Sequence, residues 1–480
     1  MNNFYMIIRP LALAVHALAA TIFVAGCALI PSYELPPSGL PVAWPTSAKM
    51  PTPSTQNPVI PSWQDYFSDT TLRQLIGTAL DNNRDLRVTL LNTQQAKAQL
   101  GIRQADQFPT INTTVTGART PTSAGGINSA YSAGLAVTAY EFDFFGRVAS
   151  LKEQALAQYL ATTEAVQTAQ IGLIATVAQS WLSLLADEAL LTVTQQTLAT
   201  RAESVKLVEL KLAQGAASEL DHRLAQTLLE AARVTLAQFA RQRALDENAL
   251  VLLLGQSLNE AQRAQLRQTS LEQLQFAELL AGLPSDLLAQ RPDIRQAEQV
   301  LIASNANIGA ARAAFFPRIS LTTGLGSASS ELGGLFKDGA WGWTLAPQLV
   351  LPIFDGGRNQ SNLDAAKAGR DIALAQYEKA IQSAFREVGD TLASRATLVQ
   401  QLQASRALQD AETDRSRLTQ LRLEHGAANQ LEWLDAKRSL FAAQQGSIQT
   451  QLAYLQNQIA LFKALGGGAS VQPVAAKGLN

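Results

Sequence analysis

The sequence predicts a mainly α-helical chain, built by internal duplication and carrying four short strands. Three observations carry that expectation. Charged residues make up 16% and aromatics 6% of the 480 residues, while Ala, Leu and Gln abound. That composition suits long packed helices better than a thick globular core. Nine of the 18 prolines fall between Pro31 and Pro61, and none occurs from Thr122 to Leu283 or from Ile353 to Gln472. Two long stretches are therefore free to be helix. The chain also repeats itself. Arg84-Asp85-Leu86-Arg87 answers Pro292-Asp293-Ile294-Arg295, and Phe108-Pro109-Thr110-Ile111 answers Phe316-Pro317-Arg318-Ile319, both 208 residues apart. Gly146-Arg147, Gly215-Ala216 and Leu254-Gly255 answer Gly357-Arg358, Gly426-Ala427 and Leu465-Gly466, each 211 residues apart. Matches at near-constant offset define a duplicated unit of about 180 residues.

The N-terminus reads as an export signal over residues 1–26. Arg9 and the α-amino group precede an apolar run from Leu11 to Gly26, interrupted by His16. The run is shorter than the roughly 20 apolar residues of a membrane-spanning helix. It ends in Val24-Ala25-Gly26-Cys27, which resembles a bacterial lipobox with Val24 where the pattern prefers Leu. On that reading the chain is cut before Cys27, and the sulfur and new amino group are acylated. The other reading is an ordinary Cys inside a signal peptide. Ala28, by resemblance to sorted lipoproteins, favours the outer membrane. Cys27 is the sole cysteine, so the acylated chain can form no disulfide. Residues 27–62 read as an extended, proline-rich tether.

Two copies of one plan follow: repeat 1 over residues 63–255 and repeat 2 over residues 291–466, with a linker region at 256–290 and a tail at 467–480. A helix is expected from about Leu72 to Gln107, and its copy from Asp293 to Phe315; Phe-Pro stops each, because the residue before proline avoids the α region. Strands are expected near 110–119 and 131–141, then near 318–326 and 340–351, joined by Gly- and Ser-rich turns. Ile319, Leu321, Thr323 and Leu325 fall on one strand face, as do Trp341, Trp343, Leu345 and Leu349. A long helix then runs from about Arg147 to Gln214, and its copy from about Arg358 to His425. Each would span on the order of 100 Å at about 1.5 Å per residue. Turns at Gly215 and Gly426 lead into helices ending at Gly255 and Gly466. The two shorter helices of the first half, laid end to end, come close to the length of one long helix, arithmetic that suggests the wall of an antiparallel coiled-coil tube.

Four strands cannot close a barrel, which takes about eight. Open in lipid, they would expose unsatisfied backbone groups. If they enter a membrane, several chains must share one barrel, and Trp341 and Trp343 suit an interfacial belt. The alternative is a small soluble sheet covering the end of a helical bundle. No segment after the leader is expected to reach transmembrane-helix length. Net charge is −1, giving no broad basic face for nucleic acid. With no Gly-rich phosphate loop, no metal-spaced His/Cys cluster and no thiol beyond Cys27, neither an enzyme nor a cofactor is expected, the covalent lipid on Cys27 apart.

Gly282-Leu283-Pro284-Ser285-Asp286-Leu287-Leu288 followed by Arg291-Pro292-Asp293-Ile294 resembles a signature of TolC/OprM-type outer membrane factors of the NodT-like lipoprotein branch. Phe354-Asp355-Gly356-Gly357-Arg358, Leu434-Asp435-Ala436-Lys437-Arg438-Ser439-Leu440 and Leu465-Gly466-Gly467-Gly468 agree with it, and the resemblance runs over nearly the whole chain from Cys27. It implies a homotrimer whose four strands per chain form a twelve-stranded outer-membrane barrel above a helical periplasmic tunnel. It also implies a periplasmic adaptor (membrane fusion) protein and an inner-membrane RND-type transporter as partners, and passive export of small molecules such as drugs or toxic organics. The outlet of a type I protein secretion system and a periplasmic coiled-coil scaffold lipoprotein without a pore are the alternatives.

By the same resemblance the tips beyond Gly215 and Gly426 contact the adaptor, and Leu431, Asp435 and Arg438 match the periplasmic gate. Their i, i+4, i+7 spacing puts the three on one helix face. Shifted back 211 residues they fall on Leu220, Leu224 and Thr227, so repeat 1 lacks the charged pair, whereas Asp221 and Glu432 are acidic in both repeats and point to a shared structural role. Without the resemblance, Asp435 and Arg438 read as a surface intrahelical ion pair. His222 and His425 lie near the tips; solvated side chains are the plain reading and a pH-sensitive gate the sharper one. Arg291-Pro292-Asp293 reads as a helix start, with Pro in the first turn and Asp at the positive end.

Overall fold

The computed structural model describes residues 29–34, 36, 39, 41, 60–123, 125–279, 291–337 and 339–467. The export signal, Cys27, the Gly282–Leu288 stretch and nearly all of the expected tail lie outside these residues. In chain order the elements are α1 (Trp63–Tyr66), α2 (Thr70–Asn82), α3 (Arg84–Ala105), β1 (Ile111–Pro121), β2 (Ile127–Phe142), α4 (Arg147–Ala213), α5 (Glu219–Leu254), α6 (Glu260–Gln268), α7 (Pro292–Ala313), β3 (Arg318–Ser329), β4 (Trp341–Val350), α8 (Arg358–Glu424) and α9 (Gln430–Ala464). The duplication is visible in the lengths: α3 and α7 have 22 residues each, α4 and α8 67 each, α5 and α9 36 and 35.

The helix expected from Leu72 to Gln107 is two helices. Asn83 stands between α2 and α3 in extended backbone: its N–H still bonds Ala79 O at 2.8 Å, and its Oδ1 accepts from Leu86 N–H at 2.9 Å. An asparagine that closes one helix and caps the next substitutes for the missing ladder bonds. β1, β2 and β3 are also longer than expected, because Ile127, Asn128 and Ser129 and, in the copy, Ser327, Ala328 and Ser329 pair instead of turning, whereas β4 is one residue shorter at each end. A third difference concerns α4. It contains an 18-residue window apolar enough to cross a membrane, with mean hydropathy 1.4, but 61% of that window is buried within the chain. A core helix walled by other helices meets the same length and composition test.

The chain forms two compact units, which do not coincide with the two repeats. One draws its described residues from 29–36, 92–163 and 296–379, the other from 39–91, 164–279, 291–295 and 380–467. Each draws on both copies, so the repeat is a unit of sequence and not a body that folds alone.

The first unit holds the sheet, antiparallel in the order β1-β2-β3-β4. Register fixes its faces: Thr113, Leu135, Leu325 and Trp343 stand side by side across the four strands, as do Ile111, Val137, Thr323 and Leu345. A bulge between Val137 and Tyr140 interrupts the β2–β3 ladder, with Ala139 at φ 51° and its N–H bonded to Thr322 Oγ1 at 3.2 Å. At the strand ends Glu141 takes Arg147 at 2.7 Å and Arg318 at 2.6 Å, so both repeats meet on one carboxylate. The extended residues 29–33 lie along α7. Arg312 donates to Leu29 O (3.2 Å), Asn305 to Pro31 O (2.8 Å), and Tyr33 OH to Glu298 (3.2 Å). Gly309 permits the approach, since a Cβ there would stand 2.6 Å from Ile30.

The second unit is helical. One aromatic cluster gathers α1, the Phe276 segment and the end of α9: Tyr66 stacks on Phe462 at 4.5 Å, and Phe67 meets Phe276 edge-on at 5.3 Å. Truncating one such buried ring costs about 3–5 kcal/mol. Pro292 opens α7 as its first helical residue, as Arg291-Pro292-Asp293 predicts. Arg291, almost fully buried, pairs with Asp293 through two nitrogens, reaches Glu387 at 2.8 Å and donates to Ala464 O at 2.9 Å. It satisfies one of the orphan carbonyls at the C-terminus of α9.

Candidate functional site

The second unit ends in two helical hairpins, α4–α5 and α8–α9, closed by the same device. Gly215 and Gly426 take left-handed φ values of 70° and 68°. Gly215 N–H bonds Leu212 O at 3.0 Å and Ala216 N–H bonds Lys211 O at 2.8 Å; Gly426 and Ala427 do the same to Leu423 O (3.1 Å) and Arg422 O (2.7 Å). This pair of bonds caps a helix C-terminus, and glycine adopts the required φ without steric cost. Ser218 and Asn429 then cap the next helices, accepting from Asp221 N–H at 3.1 Å and Glu432 N–H at 2.8 Å. The two acidic residues thus hold the same third position of their helices. Asp221 also accepts from Ser218 N–H (3.0 Å) and Oγ–H (2.7 Å), bonds that hold its carboxyl below the usual range.

Between the hairpins lies an apolar cluster of Val205, Val208, Ala225, Leu229 and Leu434, with Leu224 and Trp433 packed against it. Leu434 points inward on α9. Leu431, 54% exposed, and the half-exposed Asp435 and Arg438 look outward, as the i, i+4, i+7 spacing predicts. Arg438 Nη2 meets Asp435 Oδ1 at 2.6 Å. The other oxygen of Asp435 takes Arg415 Nη2 of α8 at 2.7 Å, and Arg415 also contacts Glu412 at 3.1 Å. Nearer the turn, Arg422 lies 3.7 Å from Glu432 and donates to Ala427 O at 2.8 Å. Asp435 therefore belongs both to the intrahelical pair with Arg438 and to a contact across the α8–α9 hairpin. In the first hairpin the equivalent Leu224 packs inward, and Thr227 bonds Arg223 O at 2.9 Å.

Spacing along α9 alone does not point to Arg415 or Arg422. Counting outward in both directions from the Gly426 turn does, because antiparallel helices bring residues at similar distances from the turn together. The two histidines lie on different hairpins: His222 Nε2 stands 3.4 Å from Glu209, and His425 is exposed.

The sheet carries the second functional surface. Trp341, Trp343, Leu345, Leu349, Leu325, Leu135 and Val115 are all exposed, and register places them on one face. Asn112, Thr114, Thr116, Ser132 and Thr344 hold the other. β1 and β4, with 11 and 10 residues, are the unpaired edges. An apolar face with aromatic residues, backed by a small polar face and ending in two open edges of similar length, is the alternation of a membrane barrel wall.

Comparison with known proteins agrees with this arrangement. The family model described as outer membrane efflux protein matches residues 75–256 and again 283–467. Among curated relatives, the probable efflux pump outer membrane protein TtgC of Pseudomonas putida is 46% identical over 462 residues, covering 94% of this chain and 95% of its own length. The solvent efflux pump outer membrane protein SrpC of the same species is 44% identical, covering 94% and 97%. Among solved structures, the open state of the Neisseria gonorrhoeae MtrE outer membrane channel superposes with a TM-score of 0.85 at 38% identity, covering 92% of this chain and 99% of that one. The chain belongs to the outer membrane efflux protein family, a family of export channels.

Proposed function

We propose that this protein is the outer-membrane exit duct of a tripartite efflux system, conducting small molecules passively from an inner-membrane RND-type pump and a periplasmic adaptor to the cell exterior. The observation that carries the reading is the open sheet of a chain in this family. Its apolar face and the free edges of β1 and β4 are satisfied when β4 of one copy pairs with β1 of the next. Three copies give twelve strands and a closed barrel, so no backbone edge faces lipid. The long helices then wall the periplasmic passage. Acylation of Cys27 anchors each copy beside the barrel, and residues 29–33 along α7 lead the chain away from that anchor. Drugs and toxic organics suit a duct whose relatives are named for antibiotic and solvent efflux.

At the hairpin ends, Leu431 and Asp435 of three copies form rings across the entrance, and the Arg415–Asp435 contact holds α9 against α8 in the closed state. The turns at Gly215 and Gly426 present the surface that meets the adaptor. Purified protein in a planar bilayer tests the duct. Heat-modifiable trimers that give small, rarely open channels support it; well-folded trimers that never conduct overturn it in favour of a scaffold.

A further inference from the structure

We propose that the cavity between α9 and the α4–α5 hairpin is a binding site for a small aromatic carboxylate. The cavity has a volume of about 210 Å³ and is lined by α4, by Leu228 of α5 and by α9. Among the described residues two cations line it, Arg201 and Lys437, and no Asp or Glu does. Arg201 is 7% exposed, yet among the described residues it has no ion-pair partner. It spends one N–H on Leu228 O, at 2.6 Å, and its guanidinium lies 5.2 Å from the centre of the Phe441 ring. A guanidinium has five N–H donors, and a buried charge stripped of water without a counter-charge is costly. The strain shows in its acidity, which burial pushes below the ordinary arginine value.

Other groups point the same way. Lys437 Nζ stands 5.8 Å from the centre of the Trp433 ring. Trp433 Nε1 is buried with no hydrogen-bond partner among the described residues. The site therefore offers donors and positive charge next to two aromatic rings; its other polar lining groups, Gln196, Thr197, Thr200, Ser204 and Gln444, are neutral, so it lacks a counter-charge of its own. An anion supplies what is missing, and the planar fork of arginine matches the two oxygens of a carboxylate. The rings and Leu228 favour an apolar body over a bare inorganic ion. The volume is below the roughly 300–1,000 Å³ of drug-sized pockets, which limits the ligand to about one ring. The site lies beside Asp435 in sequence but does not depend on the gating reading, because binding is measured directly.

The experiment is calorimetric titration of the purified full chain in detergent with benzoate, with benzamide as the uncharged isostere and inorganic phosphate as the ring-free anion. The expected result is saturable benzoate binding, at least tenfold weaker for benzamide and for phosphate, weakened tenfold or more by Arg201→Gln and several-fold by Lys437→Met. Gln retains a donor for Leu228 O, and Lys437 is half-buried, so at least the second variant keeps the fold. Absence of saturable benzoate binding overturns the site, as does binding untouched by either substitution. Equal affinity for phosphate overturns the aromatic part.

Discussion

Arg415 of α8 donates to the Asp435 carboxylate of α9 at 2.7 Å across twenty residues of sequence, whereas Arg438 reaches the other oxygen from one turn away on the same helix. Only the first contact joins two helices. Both its partners are about half exposed, so the pair adds at most about 1 kcal/mol to folding. On the proposed gating, losing it would shift which arrangement of α8 and α9 is populated. Arg415→Ala and Asp435→Ala are therefore expected to raise bilayer conductance several-fold and to similar extents, with thermal stability nearly unchanged. Arg438→Ala should have a smaller effect. Should Arg438→Ala open the channel and Arg415→Ala leave it shut, the cross-hairpin latch is wrong.

The limits of sequence reading show in these same residues. Leu431, Asp435 and Arg438 share a face because helical periodicity is a local property, and it needs no knowledge of neighbours. The equal lengths of α4 and α8 follow from the repeat, and the Gly215 and Gly426 turns from the glycines themselves. Arg415 becomes visible only once the hairpin is closed, since its partner is chosen by tertiary pairing. The break at Asn83 is hidden for a similar reason: asparagine is tolerated inside a helix, and the amide that caps α3 through Oδ1 is also tied by its Nδ2 to Leu253 O at 3.0 Å, a tertiary contact. The two compact units are likewise unreadable, because each is assembled from segments of both repeats: all four strands fall in the first, and parts of the long helices α4 and α8 fall in each.

Two glycines of equal φ separate backbone strain from crowding. Gly426 (φ 68°) has open space where a Cβ would stand; Gly255 (φ 67°) has Asn82 O at 2.8 Å. Alanine at Gly426 carries only the left-handed penalty, about 1–2 kcal/mol. At Gly255 a fixed backbone carbonyl must also move. Thermal unfolding in detergent should therefore rank wild type above Gly426→Ala and Gly426→Ala above Gly255→Ala. Equal melting of the two variants would show that the Asn82 contact yields freely.

Neighbouring residues of β4 test the membrane face. Trp343 lies on the apolar face beside Leu325, and Thr344 on the opposite face beside Gly324. An arginine facing lipid costs about 2–4 kcal/mol near the bilayer midplane and less toward its edges. A lumen-facing arginine stays hydrated. Trp343→Arg should therefore reduce heat-modifiable trimers in the outer-membrane fraction, while Thr344→Arg should leave trimers intact and alter ion selectivity. The opposite ranking would reverse the assignment of the two faces.

Asp187 of α4 makes the stability of the second unit depend on pH. It is 6% exposed, and burial together with the hydrogen-bonded, like-charged Asp246 carboxyl pushes it up to about 7; the Arg243 guanidinium opposes the shift, and Glu188 adds to it. Arg243 is already engaged by Glu188 and Glu247, so it cannot neutralise the pair. A folded-state value raised above the unfolded one means that the proton binds the folded protein more tightly. The associated stability is complete below the unfolded value, declines as pH rises and is gone once pH passes about 7. Asparagine imitates the protonated acid at every pH. Asp187→Asn should thus melt close to wild type at about pH 5 and above it at about pH 8.5. Wild type should lose more stability than the variant between those two conditions. Parallel pH profiles for the two proteins would mean that the Asp187 carboxylate finds a compensating charge on ionisation, most directly by drawing Arg243 away from Glu188.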